Sequence, residues 1–477
     1  MKFENPHMMA ERNSEAETLF FKGLAAMQSG EPCIAEACFL EAISINPSFA
    51  EAYSNLGFLL SARGALAFAE ECYRLSIIFD PMNAVTHLNM GVLLDKQKQF
   101  DAAELYYKEA IKLDGKYAIA WSNLGVLYAS TWRDDEAEQC YRTAIAIDKE
   151  YVTAKFNLSY LLLRQGRFAE GWLCLESRKW YQLLEGQPLD TPRWRGESLD
   201  GKRLLICFEA GYGDVIQFCR YVMDLKKQGV IFITLICHPP LVKLLTSLKG
   251  LDEVIAFDQD ISKLKWDFWT PLLSIPYHLK TRTESIPAKI PYLCALEEDM
   301  QKWRTQIPKQ GLNIGLVWKG NPLFENDAER SLPCLSILEP LWDVSDVNFI
   351  SLQKDMNEEA QGNKLSKLAI TNLGVHLKDF ADTAAVIHHL DLVISVDTSV
   401  AHLTGALGKP CWVLLPHYKP DWRWLKDRTD SPWYPTMRLF RQASRGNWTD
   451  TIHDVREALK SLAIASSKSL AIKDIKS

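Results

Sequence analysis

Three segments of the chain carry polar side chains directly after strand-like runs, which is where ligands bind in α/β proteins. The first, residues 209–221 (EAGYGDVIQFCRY), follows an apolar run and opens a helical pattern. Gly211 and Gly213 favour a tight turn that brings the backbone close to a ligand. Asp214 then falls at the helix N-terminus, where it either faces a ligand-binding cleft or only caps the helix.

The second segment, residues 391–410 (DLVISVDTSVAHLTGALGKP), ends an apolar run in a polar triplet that opens an amphipathic helix. The first N–H groups of that helix and the hydroxyls of Thr398 and Ser399 suit an anion such as a diphosphate. His402 falls on the first turn, within reach of the same anion. In the alternative interpretation Asp397 and Thr398 only cap the helix and His402 only packs.

A third polar segment, residues 317–333 (VWKGNPLFENDAERSLP), also follows a strand-like run. It supplies Lys319, Asn321, Arg330 and Ser331. Cations and hydroxyls in such a loop either contact phosphate oxygens or form a solvated surface.

These three segments lie in a region that alternates short β-rich runs with helix-length stretches, the pattern of parallel sheets. One set of runs is RLLICFEA, IFITLIC and EVIAF; a second set is NIGLVW, NFISLQ, DLVISVD and CWVLLP. The change from one set to the next near Gly311 predicts two facing Rossmann-like domains. Their ligands are expected at the carboxyl ends of the strands.

The first third of the chain repeats itself every 34 residues between positions 16 and 149. Each unit has a glycine, an alanine twelve residues later and an aromatic residue four further on, at Gly23, Gly57, Gly91 and Gly125, at Ala35, Ala69, Ala103 and Ala137, and at Phe39, Tyr73, Tyr107 and Tyr141. The pattern resembles the tetratricopeptide repeat, with a weaker fifth unit over residues 152–178. It predicts a solenoid of helix pairs.

One asparagine recurs at the same position of successive units, at Asn55, Asn89, Asn123 and Asn157. Side-chain amides both donate and accept hydrogen bonds. This series therefore either holds the backbone of an extended peptide or bridges adjacent helices.

Composition limits the class of protein. The 477 residues carry a net charge of −6 with a pI near 6.0, which argues against a nucleic-acid or anionic-membrane surface. The N-terminus lacks the apolar segment of a secretory signal, and no apolar stretch approaches the ~20 residues that cross a bilayer. Eleven cysteines are scattered without a CxxC pair. A reduced, cytoplasmic protein is expected.

From Lys202 to about Leu462 the chain resembles glycosyltransferase family 9, the heptosyltransferases of GT-B fold. More closely, the whole chain resembles a bacterial group that joins tetratricopeptide repeats to such a domain. The stretches that carry the resemblance are FAEGW…ESRKW, PRWRGESLDGKRLL, EAGYGDVIQFCRY, VWKGN…RSLP, SLQKD, DFADTAAVI, DLVISVDTSVAHLTGALGKPCWVLLP and DWRW…DSPWYP.

The resemblance implies an inverting, metal-independent transfer from a nucleotide-diphosphate sugar without a further cofactor. Asp214 matches the family's general base, which takes the proton of the acceptor hydroxyl. The acceptor-side loop comprises Glu209, Gly211, Gly213 and Gln217. The donor side comprises Asp397, Thr398, Ser399, His402, Lys319, Arg330 and Ser331, with Ser399 standing where heptosyltransferases have glycine.

The predicted fold is a tetratricopeptide solenoid followed by a GT-B pair of Rossmann-like domains. Its expected parts are repeats 16–181, linker 182–201, acceptor-side half 202–310, nucleotide-sugar half 311–464 and tail 465–477. Trp172, Trp180 and Trp194 are expected to form a hydrophobic seal at the junction, and Trp422, Trp424 and Trp433 either stack on a base or sugar or form core.

The leading hypothesis is a protein glycosyltransferase whose repeats recruit the acceptor, with flagellin or another surface protein as an example of the acceptor. The first alternative is a non-catalytic repeat scaffold whose transferase domain still binds nucleotide. The second is a heptosyltransferase acting on lipopolysaccharide or another glycan, which leaves the repeats without a purpose.

Overall fold

The computed structural model describes residues 6–178, 191–261, 265–354 and 370–476. Trp180 and residues 182–190 of the expected linker lie outside these ranges, as does Asp355 of the SLQKD stretch. The chain forms two compact units, residues 1–158 and residues 159–477, with the division inside a helix. The predicted fold class is confirmed: a helical repeat region precedes a region of two parallel sheets flanked by helices.

The first unit consists of helices that pack in successive pairs, α1 with α2, α3 with α4, α5 with α6 and α7 with α8. Their bounds are α1 Pro6–Gln28, α2 Pro32–Ile45, α3 Ala50–Ala62, α4 Leu66–Phe79, α5 Ala84–Lys96, α6 Phe100–Leu113, α7 Ala118–Ser130, α8 Asp134–Ile147 and the start of α9 Val152–Arg164.

The 34-residue period has a direct packing cause. A Cβ added to Gly91 of α5 would lie 2.6 Å from the Tyr107 ring of α6, so the two helices approach at a distance that only glycine permits. The other units repeat this contact, between Gly23 and Phe39, Gly57 and Tyr73, and Gly125 and Tyr141. The alanine of each unit is fully buried beside it. Each helix pair is therefore closed by one glycine and one aromatic ring.

The second unit begins within α9 and contains two halves. In the first half the strand order is β3-β2-β1-β4, and all pairings are parallel. Its elements after α10 Phe168–Leu175 are β1 Arg203–Cys207, α11 Tyr212–Phe218, α12 Val222–Lys227, β2 Phe232–Cys237, α13 Val242–Leu245, β3 Glu253–Ala256, β4 Phe268–Pro271, α14 Ile275–His278 and α15 Glu297–Arg304, with 3-10 helices at Cys219–Tyr221, Pro239–Leu241, Leu272–Ser274 and Thr283–Ser285.

In the second half the strand order is β10-β9-β8-β5-β6-β7, again parallel throughout. Its elements are β5 Leu312–Val317, α16 Asp327–Arg330, β6 Val347–Ser351, β7 Thr371–Asn372, α17 Phe380–His388, β8 Leu392–Val396, α18 Ser399–Ala406, β9 Cys411–Leu415, β10 Met437–Arg441 and α19 Thr449–Lys476, with 3-10 helices at Leu335–Leu341, Gly374–His376 and Trp422–Trp424. Helix α19 thus runs through the expected tail.

Direct contacts join the two halves. Helices α11 and α18, which follow β1 and β8, pack against each other. The buried Arg220 guanidinium donates to the Trp433 carbonyl at 2.6 Å and to the Tyr292 hydroxyl at 2.9 Å. Tyr292 and Leu293, between the sheets, bond their N–H groups to the Ala406 carbonyl at the end of α18. The carboxyl ends of β1 and β8 are therefore held close together.

Across the described ranges, no helix combines the length and apolar character that crossing a membrane requires.

Candidate functional site

The loop after β1 is anchored by a buried ion pair. Glu209, 5% exposed, accepts two hydrogen bonds from Arg178, at 2.8 and 2.9 Å, and one from the Leu273 N–H at 2.9 Å. The protein's own donors thus occupy a carboxylate that was expected to face an acceptor. Glu209 fixes the base of the loop instead.

The turn that follows takes its unusual backbone conformation at an alanine. Ala210 has φ of +55°, in the left-handed region that non-glycine residues rarely adopt, whereas Gly211 has φ of −91°. Strained residues of this kind concentrate at functional sites. The turn leads directly into α11 at Tyr212.

Gly213 allows the two helix starts to touch. A Cβ built on it would lie 2.9 Å from His402 Cδ2 and 3.6 Å from Ser399 Cα, both on α18. A Cβ on Gly211 would meet nothing closer than 3.6 Å, from Asp214 Oδ2. Gly213 is therefore needed for the approach of α11 to α18, which the sequence did not reveal.

Asp214 lies on the first turn of α11 with its side chain 18% exposed. Its Oδ2 accepts from the Gly211 N–H at 2.8 Å, so the capping interpretation holds for one oxygen. Its Oδ1 accepts from the Arg423 guanidinium of the other half. Burial raises the pKa of Asp214, and the Arg423 charge opposes that rise. Both proposed roles, cap and cleft residue, are compatible in this geometry.

Gln217, also expected on the acceptor side, is fully buried. Its Oε1 accepts from Arg423 Nε at 2.6 Å. Gln217 therefore supports Arg423, one turn further along α11 than Asp214.

Helix α18 begins at Ser399 with its first N–H groups available. Thr398 is the residue before the helix, but its hydroxyl bonds to the Ser395 hydroxyl at 3.1 Å and does not cap. In the parts of the chain that are described, no acceptor bonds to the N–H of Ser399 or Val400. Thr398 and Ser399 are partly exposed. This helix start keeps the donors that an anion requires.

Asp397, 9% exposed, lies directly before that helix start. Burial raises its pKa, and the nearby Asp421 carboxylate raises it further, while Arg330 opposes the rise. A carboxyl in this setting takes up a proton more readily than an exposed aspartate.

His402 is 6% exposed and held by the protein itself. Its Nδ1 lies 3.0 Å from the Tyr434 hydroxyl, and its ring stacks on Trp424 with centroids 5.3 Å apart. Burial, together with the charges of Arg423, Arg220 and Arg330, lowers the pKa of His402 well below its usual value. The ring is therefore neutral, and the packing alternative describes its contacts.

The loop after β5 is folded around Gln353 and Ser331. The Gln353 side chain bonds to the N–H of Lys319 at 3.0 Å and to its carbonyl at 3.2 Å. The Ser331 hydroxyl accepts from the Gly320 N–H at 2.8 Å and donates to Asp327 at 3.0 Å. Ser331 thus shapes this loop and has no donor left for a ligand.

Both cations of this loop keep donors available. Arg330 Nε donates to Asp327 at 3.1 Å and its guanidinium lies over the Phe324 ring, but its two terminal nitrogens make no hydrogen bond to the described residues. The Lys319 ammonium has no acceptor among those residues either. Arg330 also acts electrostatically on Asp397 and His402, which places it beside the start of α18.

An aromatic group that the sequence analysis missed lies at the carboxyl ends of β1, β2 and β3. Phe208 and Tyr212 lie 4.6 and 4.8 Å from His238 between ring centroids, and Phe257 and Phe380 complete the group. Tyr212 and Phe257 are 39% and 52% exposed. The available signal was position, since Phe208, His238 and Phe257 each follow a strand-like run directly.

The candidate tryptophans form core. Trp422, Trp424 and Trp433 are at most 2% exposed. Trp172 lies 5.4 Å from Trp422 between ring centroids and donates to the Thr281 carbonyl at 3.0 Å. Trp194 is buried separately beside His278. The core alternative therefore describes the C-terminal three.

Within the described residues, the side-chain amides of the repeat asparagines form no hydrogen bond to another helix. Asn55 donates to the Glu51 carbonyl of its own helix at 2.8 Å. The side chains of Asn89, Asn123 and Asn157 form no hydrogen bond with the described residues and are partly exposed. The bridging alternative is therefore not seen in these hydrogen bonds, and peptide binding stays a prediction.

Comparisons with known proteins match both regions of the chain. Residues 16–49, 84–117 and 118–151 match the tetratricopeptide repeat, and residues 345–417 match glycosyltransferase family 9 (heptosyltransferase). The chain therefore combines segments that match tetratricopeptide repeats with a segment that matches glycosyltransferase family 9. The segment that matches family 9 contains Asp397, Thr398 and His402.

Among curated proteins, Protein FlbA of Caulobacter vibrioides is 29% identical over 329 residues. The match covers 64% of this chain, and this chain spans about half (54%) of the length of FlbA.

Solved repeat proteins are similar to part of the chain. MamA is 20% identical with a TM-score of 0.30, and its match covers 35% of this chain and 96% of MamA. PilF of Pseudomonas aeruginosa is 21% identical with a TM-score of 0.33, over 35% of this chain and 77% of PilF.

Proposed function

We propose that the protein transfers a sugar from a nucleotide-diphosphate sugar to a polypeptide acceptor, with inversion and without a metal ion. The observation that carries the proposal is the contact of the α11 and α18 starts at Gly213 and Ser399. That contact puts the Asp214 carboxylate and the available N–H groups of α18 at one place. A base for the acceptor and an anion site for the donor are the two parts that such a transfer needs.

The donor diphosphate would lie at the start of α18. The N–H groups of Ser399 and Val400 and the hydroxyl of Thr398 would contact its oxygens. Lys319 and Arg330 would neutralise the charge that develops on the leaving diphosphate, because the Lys319 ammonium and the two terminal nitrogens of Arg330 have no acceptor among the described residues.

The chemical step is a single displacement. The acceptor oxygen attacks the anomeric carbon, its proton moves to the Asp214 carboxylate, and the bond between the anomeric carbon and the diphosphate oxygen breaks. The nucleoside diphosphate leaves with the electrons of that bond. One displacement inverts the anomeric configuration. Burial supports this use of Asp214, because a raised carboxyl pKa strengthens a general base.

Recruitment of a polypeptide acceptor is proposed from the repeats. Tetratricopeptide arrays bind other proteins, and the partly exposed amides of Asn89, Asn123 and Asn157 suit an extended backbone. Flagellin or another surface protein remains the proposed example.

Donor binding is tested by thermal shift against a panel of nucleotides and nucleotide sugars. One nucleoside diphosphate, or its sugar, should stabilise the wild type, and Lys319→Ala and Thr398→Ala should weaken its binding about tenfold or more, the cost of a lost hydrogen bond to a charged group. Lys309→Ala is the matched control, since Lys309 is an exposed lysine outside the loop. No stabilisation by any nucleotide would overturn the proposal.

Transfer is tested with the stabilising sugar nucleotide in labelled form and a polypeptide mixture. Protease-sensitive label should appear with the wild type and be lost with Asp214→Asn, which should still bind donor. Asn89→Ala with Asn123→Ala should reduce label on polypeptide without reducing donor binding. Label found only on glycan would show that the acceptor is a glycan and not a polypeptide. Unchanged transfer by Asp214→Asn would show that Asp214 is not the base.

A further inference from the structure

The Arg423 guanidinium joins the two halves at the proposed base. It lies on the 3-10 helix Trp422–Trp424 of the second half, with its side chain 9% exposed. It donates to Asp214 Oδ1 and, through Nε at 2.6 Å, to Gln217 Oε1, both on α11 of the first half. Two consecutive turns of one helix are therefore bound by one side chain from the other half.

Residues of the second half also bind the Arg423 guanidinium. Asp421 accepts from Arg423 Nη1 with both carboxylate oxygens, at 3.0 and 2.9 Å, and also accepts its backbone N–H at 2.9 Å. The Trp422 ring lies 4.6 Å from the guanidinium carbon. Such a set of contacts leaves Arg423 little freedom, because each of its three nitrogens is engaged.

We propose that Arg423 is the positioning residue of the base: it orients the Asp214 carboxylate, keeps it ionised and binds it to the second half. This inference rests on the proposed function, in which Asp214 is the base.

The geometry supports orientation. The Gly211 N–H holds Oδ2 of Asp214 at 2.8 Å, and Arg423 holds Oδ1, so the carboxylate plane is fixed by one donor from each half. The Asp214 side chain remains 18% exposed between these two donors. The planar guanidinium binds Asp214, Gln217 and Asp421 at the same time, which the single nitrogen of a lysine side chain cannot do in the same geometry.

The surrounding charges support control of ionisation. Arg423 lowers the pKa of Asp214 against the effect of burial, while the carboxylates of Asp421 and Glu209 raise it. The Tyr160 phenol interacts electrostatically with Asp214, Asp421 and Arg423. Asp397 interacts with Asp421 and Arg423, and the neutral His402 packs against Gly213. Arg423 supplies the positive charge that favours the carboxylate form.

The test compares the pH dependence of transfer in three variants. The acid limb of kcat/KM reports the protonation of the base. With Arg423→Gln the limb should move to higher pH, by about 1 unit or more, because a favourable charge is lost. With Asp421→Asn it should move to lower pH, because an unfavourable charge is lost. Compared with Arg423→Gln, Arg423→Lys should return the acid limb to its wild-type position but should not restore kcat, since lysine supplies the positive charge without the paired N–H donors of the guanidinium.

Arg428→Gln is the control, because the Arg428–Asp430 pair is a surface ion pair in the same segment. It should leave both the limb and kcat unchanged. Equal losses of kcat in Arg423→Gln and Arg423→Lys with no movement of the acid limb would overturn the proposal and leave a purely structural role.

A second readout needs no activity. The measured quantity is the unfolding temperature of the wild type minus that of Asp214→Asn. This difference should fall as pH rises through the window between the ordinary aspartate pKa and the raised pKa of Asp214 in the folded chain. When both proteins also carry Arg423→Gln, the window should extend to higher pH. An unchanged window overturns the positioning role. If the window extended but the chain had no transfer activity, the effect of Arg423 on Asp214 would be confirmed and the proposed function would be wrong.

Discussion

Gly213 of α11 packs directly against His402 of α18, since a Cβ on the glycine would come within 2.9 Å of His402 Cδ2. The His402 ring has little space to retreat, because it stacks on Trp424 and bonds to Tyr434. The spacing between the proposed base and the proposed donor site therefore depends on the absence of one side chain.

Gly213→Ala is expected to separate the starts of α11 and α18. Overpacking of a buried site costs about 1–3 kcal/mol, and a displacement of about 1 Å at a reacting centre lowers the rate about 100-fold. The measurements are the unfolding temperature and kcat of the full chain. Gly211→Ala is the matched control, since its Cβ would meet ordinary contacts. A Gly213→Ala variant as stable and active as the control would show that the contact is dispensable.

The pH dependence of stability should report the buried His402. Its pKa is lowered by burial and by Arg423, Arg220 and Arg330, so the unfolded chain binds a proton there that the folded chain does not. The stabilising contribution is present above the unfolded pKa of about 6.5 and is lost as pH falls below it.

His402→Gln should therefore flatten the decline of the unfolding temperature between about pH 7 and pH 5 relative to the wild type. His453→Gln, which replaces an exposed histidine, is the matched control. If His402→Gln retained the full wild-type decline, His402 would not be the group that takes up the proton.

Local sequence predicted the elements and the positions of Asp214 and Thr398 at helix starts, because strands, turns and helix starts have short-range signatures. It did not pair Asp214 with Arg423, which lies 209 residues further along the chain. That contact depends on how two domains pack, and no local pattern encodes it. For the same reason the sequence places Glu209 on the acceptor side and does not reveal its partner Arg178, the last residue of the weaker fifth repeat.

The Glu209–Arg178 pair should stabilise the second unit more than any surface ion pair. Glu209→Gln removes the more buried of the two carboxylates that pair with Arg178, the other being Glu176 at 2.8 Å, and breaking such a buried pair costs about 3–5 kcal/mol. Asp224→Asn, which breaks the exposed pair with Lys227, should cost less than about 1 kcal/mol. Chemical unfolding of the full chain, followed by tryptophan fluorescence, compares the two. Equal losses would contradict the structural role of Glu209.

The glycine and aromatic pairs of the repeats should be sensitive to a single methyl group. In Gly91→Ala the new Cβ would lie 2.6 Å from the Tyr107 ring, which is itself 1% exposed and cannot swing into solvent without exposing its face. The expected destabilisation is about 1–3 kcal/mol, although alanine favours a helix more than glycine does. Gly115→Ala, whose Cβ meets only the Ile111 carbonyl at 3.8 Å, should change stability by less than about 0.5 kcal/mol. Urea unfolding of the full chain, followed by circular dichroism at 222 nm, measures both. If Gly91→Ala were more stable than the wild type, as helix propensity alone predicts, the helix pair would have space for a Cβ at this position. The close packing of the two helices would then not explain why glycine recurs there every 34 residues.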